Sequence, residues 1–361
     1  MNQQGRAATF TQVSRRDFLA VGGAGIVGLS LTPSLAALAG KNMAVIQVVL
    51  NGGASHLETF DPKPHASREI RGPLHSIATR IPSVRFAECL PRLADRADKL
   101  VVVRSLCHAA APIHETGSQF LASGSLINRT VVPIPIGQRV QQQLQGNRRV
   151  PVAVEIRKTP CSPLVSFPGA SLPSPAEVRT LGQTLPEFHQ APVRTRESYG
   201  SSEMGERFWT AARLVEGGSR YILLNTFDKL EGERTWDAHG DEVTGPANLF
   251  DYRDTLGPQF DQAFAALIDD LQATGLWKQT LVLCTGEMGR TPRMNERTGR
   301  DHWTQAWSGL LAGGVFEGGQ VIGETDEHGE EILNHPVPLS QFAAITQQAL
   351  GLSAPEATPL G

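Results

Sequence analysis

The chain has 361 residues, 40% hydrophobic and 19% charged, which suits a globular protein with a large buried core and excludes a disordered, highly charged one. A formal net charge of −3, without a Lys/Arg-rich run, leaves no electrostatic footprint for nucleic acid. The 36 glycines and 24 prolines predict many loops rather than a helical bundle.

The N-terminal segment reads as a separate object. In SRRDFLA, residues 14–20, Arg15 and Arg16 precede the apolar stretch LAVGGAGIVGLSL, which is glycine-rich and short for a membrane span. Ala37, Leu38 and Ala39 supply a small-x-small cleavage site. These features predict a twin-arginine signal over residues 1–39, with the twin-arginine translocation machinery as a partner. They imply a periplasmic or extracellular location and no integral span in the mature chain. Residues 40–361 are then expected to form a single α/β domain. The four cysteines, Cys89, Cys107, Cys161 and Cys284, are scattered and lack metal-ligand spacing.

MAVIQVVL, residues 43–50, predicts a buried strand ending in the turn signal Asn51-Gly52-Gly53. LVVVRS, residues 100–105, predicts a second strand, and HETGSQFLASG, residues 114–124, a helix ending on Gly124. Strands follow at 152–156 and 221–225, either side of a Pro/Ser-rich loop over 158–185. The stretch from Asp251 to Gly275 places Phe260, Phe264, Leu267, Ile268 and Leu271 on one helical stripe. TLVLCT at 280–285 and GLLAGG at 309–314 predict strands, and a last helix covers about 339–350. Alternating apolar strands and helices imply an α/β fold, a mostly parallel sheet with helices on both faces. Ligands of such sheets sit beyond the carboxyl ends of the strands.

Five polar clusters follow predicted strands. In TWDAHGD, Asp237 and His239 can reach one metal or can hydrogen-bond each other at a helix entry. In GRDHW, His302 is a candidate ligand or base, Asp301 can orient an imidazole, and Arg300 can grip an anion or pair with Asp301. In GEMGRTP, Glu287 stands at a strand end, with Arg290 reaching back to the cleft or forming a salt bridge to it. CHAAAPIHETG offers His108 and His114, the latter opening a helix. NGGASHLETFDPKP exposes backbone N–H groups suited to an oxyanion, beside Ser55, His56 and Asp61, but lacks a phosphate-loop ending.

With SRRDFL, LPRLADRADKLVVVRSLCH and GEMGRTPRMN, these motifs resemble the exported domain-of-unknown-function family 1501 from the signal to about residue 350. That family resembles a distant branch of the alkaline phosphatase and sulfatase superfamily, which implies an alkaline-phosphatase-like fold with two metal ions at the carboxyl ends of the strands. TLVLCTGEMG resembles the superfamily's strand ending in Asp-His-Gly, and WDAHGD its Asp-x-x-x-His metal segment. HETGSQFLASG resembles the helix after its nucleophile. Asn51 stands where a metal-binding Asp is expected, Glu287-Met288 replaces Asp-His, and Ala110, Ala111 and Pro112 fill the nucleophile region.

The implied activity is metal-dependent hydrolysis of a phosphate or sulfate ester. One divalent metal, zinc, manganese or calcium, would be held by Asp237, His239 and His302, with Glu287 as fourth ligand or base. Arg290 and Arg300 would grip the anionic ester, and His108 and His114 would serve as acid–base groups. A degenerate, non-catalytic binding protein of the cell envelope is the alternative.

Overall fold

The computed structural model describes residues 43–128, 131–144, 150–157, 187–353 and 358–359. The expected export signal, the Pro/Ser-rich stretch and Cys161 lie outside them. Eight strands form the main sheet: β1 (Ala44–Val49), β2 (Leu100–Cys107), β3 (Ala153–Ile156), β4 (Tyr221–Asn225), β5 (Thr280–Thr285), β6 (Trp307–Gly313), β7 (Gln320–Ile322) and β8 (Val337–Pro338). Their order is β7-β2-β6-β5-β1-β4-β3, with β8 also paired to β2. All pairings are parallel except those of β6, which runs antiparallel to both β2 and β5. The expected α/β class and mostly parallel sheet are therefore what the chain forms.

The reversal of β6 positions the site. Val49 is paired with both Asn225 and Thr285, so β1, β4 and β5 end together. Trp307, at the start of β6, is paired with Leu106 near the end of β2. The segment that precedes β6 thus reaches the same edge as the segments that follow β1, β2, β4 and β5.

Helices cover both faces because the strand side chains alternate between two apolar layers. Ile46, Val48, Val102 and Val282 pack with Phe208 of α3 (Glu203–Gly217) and Phe260 and Phe264 of α4 (Gly257–Ala273). Val45, Val101, Val103 and Leu281 pack with Leu121 of α1 (His114–Ser123), Ile136 of α2 (Ile136–Gln143) and Phe342 of α5 (Leu339–Leu350). Gln47, the one polar residue of β1, is buried. It donates to Leu121 O (3.1 Å) and accepts from the Tyr221 hydroxyl (3.0 Å), tying α1 to the sheet.

The long helix differs in detail from its expected span. An Asn248–Asp251 capping box starts a short turn, Tyr252–Leu256 is π-helical, and α4 begins only at Gly257. Cys89 and Cys284 are buried and Cys107 is partly buried, all three as free thiols. No helix among the described residues is long and apolar enough to cross a membrane.

Candidate metal centre

Three loops and a helix end meet at the strand edge. Glu287 follows β5, and Gly289–Arg290 pairs antiparallel with His302–Trp303, setting Arg290 opposite His302. The Asp237 loop is anchored by Trp236, whose indole donates to Thr226 Oγ1 (3.1 Å) and whose carbonyl accepts from the Tyr252 hydroxyl (2.8 Å). His114 is the first residue of α1. Gly52, with φ +105°, lies so close to Asp237 that a Cβ there would meet the Asp237 Cβ at 2.8 Å.

Asp237, 4% exposed, is the hub. Its Oδ1 lies 3.0 Å from His239 Nε2 and 3.3 Å from His302 Nε2, and its Oδ2 lies 3.5 Å from His114 Nε2. Each imidazole has its Nδ1 at an acceptor: Glu287 Oε1 for His114 (2.6 Å), Pro112 O for His302 (2.7 Å) and Asp301 Oδ1 for His239 (3.2 Å). The Nε2 atom of all three rings points at Asp237, so a proton there donates to the carboxylate and its loss frees a lone pair on the same side. Ligand atoms of His114, Asp237 and His302 all lie within 4.8 Å of one another.

Burial would raise the Asp237 pKa, but Arg290 and the three histidines outweigh it and hold the carboxyl well below its usual range. Burial acts to lower the His114 pKa, but its hydrogen bonds to Asp237 and Glu287 prevail and lift it to about 9. The His302 pKa is lowered by burial, with Arg290 and His114 adding to the effect. The donor set fits a divalent cation: a buried ionised carboxylate with two imidazole nitrogens whose other nitrogens are already held.

The structure brings Asp237, His239, His302, His114, Glu287 and Arg290 together but gives several of them other tasks than those expected. Glu287 Oε1 is occupied by the Gly52 N–H (2.8 Å) and His114 Nδ1, so it orients a candidate ligand instead of offering that oxygen to a metal. The anion grip expected of the arginines is corrected. Arg290 spends its donors on Gly52 O, Gly53 O, Arg300 O, Asp237 and His239. Arg300 forms a fully buried fork with Glu58 (2.7 and 2.8 Å) and donates to Ile70 O, Thr291 O and Pro292 O. His108 is buried between Phe120 and Trp307, ring centroids 5.4 and 5.6 Å away, and burial lowers its pKa.

The first loop also turns inward. Asn51 donates to Asn225 Oδ1 (3.1 Å) and accepts from the Phe227 N–H. His56 meets Gly329 O (2.8 Å), and Asp61 pairs with Lys63 and Arg104. Sequence reasoning placed His114 among acid–base groups and missed its place beside Asp237. A His-Glu pair opening a helix after a strand was the available signal. The Pro112 carbonyl that holds His302 has no side-chain signature.

A mostly parallel sheet carrying a His/Asp cluster at its carboxyl edge defines an α/β protein with a candidate metal centre. The chain belongs to the family described as "Protein of unknown function (DUF1501)", whose model matches residues 42–162 and 179–359. No curated protein matches the chain. Similar solved structures include the lipoteichoic acid synthase LtaP from Listeria monocytogenes, at 9% identity, covering 88% of this chain and 74% of that one, with a TM-score of 0.47. The C-terminal periplasmic domain of EcEptC from Escherichia coli, in complex with Zn, is 10% identical, covers 87% and 85%, and gives 0.45. The phosphonate monoester hydrolase SpPMH from Silicibacter pomeroyi is 11% identical, covers 86% and 73%, and gives 0.47.

Proposed function

We propose that the protein is a metal-dependent hydrolase of phosphate or sulfate esters, exported by the twin-arginine route that SRRDFL suggests. One observation carries the metal reading: His114 and His302 have their Nδ1 atoms held by acceptors and turn their Nε2 atoms toward buried Asp237. Three protein ligands with an open position are the arrangement of catalytic rather than structural zinc sites. A divalent ion there would supply a Lewis acid and an activated water. Glu287 fixes the His114 ring, and the Pro112 carbonyl fixes that of His302. Arg290 holds Asp237 in place and ionised.

The test is metal analysis of protein purified without chelator, followed by turnover of p-nitrophenyl phosphate and sulfate. About one equivalent of zinc or manganese, lost in both H114A and H302A, supports the reading. Metal-free protein whose melting temperature is unchanged by zinc, manganese or calcium refutes it. A second reading, a metal-containing binding protein without turnover, is favoured by the full commitment of Arg290 and Arg300 to internal partners. Metal uptake without turnover of either ester selects it.

A further inference from the structure

We infer that Arg290 is a resident cation that divides Asp237 with the metal ion: the guanidinium takes Oδ1 together with His239, and leaves Oδ2, His114 and His302 to the metal. The inference rests on the metal reading above and concerns how the chain's own charges are shared.

The Arg290 side chain is 0% exposed. Its Nε donates to Gly53 O (2.9 Å), Nη1 to Arg300 O (3.2 Å) and Nη2 to Gly52 O and Asp237 Oδ1. Nη1 also lies 3.3 Å from His239 Nε2. His239 Nε2 lies between the guanidinium at 3.3 Å and Asp237 Oδ1 at 3.0 Å, so an ion placed beside it would meet Arg290 at close range. His239 therefore lies on the Arg290 side of the carboxylate.

His302 is placed differently. Its Nε2 lies 3.3 Å from Asp237 Oδ1 and 3.0 Å from His239 Nε2. Its Nδ1 is engaged at Pro112 O. His302 Nε2 is thus the ring nitrogen left to a cation, which would take the place of a proton shared with these neighbours. Asp237 Oδ2 has His114 Nε2 at 3.5 Å, whose proton a metal ion would displace.

Charge bookkeeping gives Arg290 a function without contact to substrate. Asp237 and Glu287 are buried carboxylates, and Arg290 cancels one of their two charges. A divalent ion then makes the centre net positive, whereas without Arg290 it would only reach neutrality. Arg290 is a positioning residue that repels the metal yet favours an anionic ligand bound to it.

The test uses the full chain and two probes, zinc in competition with a chromophoric chelator, and inorganic phosphate titrated calorimetrically into zinc-loaded protein. R290Q should bind zinc about tenfold more tightly or better, and phosphate about tenfold more weakly or worse, because a charge within a few ångströms has been removed. R290K should stay near wild type for both. H239Q should hold zinc within about threefold of wild type while H302Q loses about a hundredfold or more, as expected for an outer neighbour against a ligand.

An R290Q that weakens both probes marks a purely structural arginine and overturns the inference. So does an H239Q that loses as much zinc affinity as H302Q. Should R290Q fail to fold by circular dichroism, the comparison of H239Q with H302Q decides. Wild-type protein that takes up no zinc fails the metal reading itself, before any variant is compared, and this inference falls with it.

Discussion

Glu287 separates two pictures of the centre, and replacing it by Gln and by Ala tells them apart. Its Oε1 accepts from the Gly52 N–H at 2.8 Å and meets His114 Nδ1 at 2.6 Å. Gln keeps an acceptor oxygen with the same reach and loses only the charge. Ala removes the acceptor and leaves a buried N–H and an unanchored imidazole. Loss of a group that orients a metal-bound histidine typically costs 10–100-fold in metal affinity, about 1.4–2.7 kcal/mol. E287Q is expected near the lower end, with folding stability changed by less than about 1 kcal/mol. E287A is expected near the upper end, with a further about 1–3 kcal/mol of stability lost to the orphaned Gly52 N–H. Zinc competition with a chelator reads the first quantity and urea unfolding the second. If E287Q matches H302A in lost zinc affinity, Glu287 is a direct ligand and the orienting role is wrong. If E287A changes neither quantity, the two hydrogen bonds do not carry the weight given to them.

Other perturbations test the frame around the centre. Glu58 and Arg300 are both fully buried, so E58Q strands a guanidinium and should cost about 3–5 kcal/mol in urea unfolding, and the double substitution to Met should recover only part of it, because Ile70 O, Thr291 O and Pro292 O lose their donor; a loss under about 1 kcal/mol would count against the buried fork. The His56 pKa is depressed from 6.5 to about 4, chiefly by burial, so the fold holds it neutral. Its stabilising contribution is complete above pH 6.5 and is lost as pH falls toward 4, up to about 3 kcal/mol, so H56Q should flatten that part of the stability profile. An unchanged slope between pH 6.5 and pH 4 in H56Q refutes the assignment. At Gly117, a Cβ would meet the Glu287 carbonyl carbon at 2.7 Å and its Cβ at 2.9 Å. G117A should therefore push α1 from the strand end, costing about 1–3 kcal/mol by overpacking against about 1 kcal/mol gained in helix propensity, and should weaken zinc binding. Tighter zinc binding in G117A would refute that packing argument.

The strands and the carboxyl edge were legible because β1, β2, β4 and β5 are near-continuous apolar runs, each followed by a polar cluster. α3 was not read from the sequence. Its buried face includes Arg207, which donates to Asn225 O at 2.7 Å and pairs with Asp228, so charge interrupts the apolar stripe. Strand direction was hidden too, since an apolar run such as WSGLLAG carries no sign of orientation. Only the antiparallel pairing of β6 brings GRDHW to the edge from the N-terminal side. Residue type located the cluster, but it could not distribute roles within it. Whether an arginine meets substrate or main chain depends on which carbonyls the fold points at it.

That distribution narrows how an ester could be held. The groups that a sequence reading assigns to an anion are turned inward. Gly52 N–H serves Glu287, the Gly52 and Gly53 carbonyls accept from Arg290, and the Arg300 fork closes on Glu58. An anionic ligand would therefore depend on the metal ion for direct contact and on Arg290 for the surrounding field. Without the ion, the two buried carboxylates are balanced by the guanidinium and the His114 imidazolium, so the centre offers an anion no net attraction. Metal-free protein should then show no calorimetric binding of inorganic phosphate, and zinc should restore it. Phosphate binding of equal strength with and without zinc would mean that an unspent protein donor, rather than the metal, receives the anion.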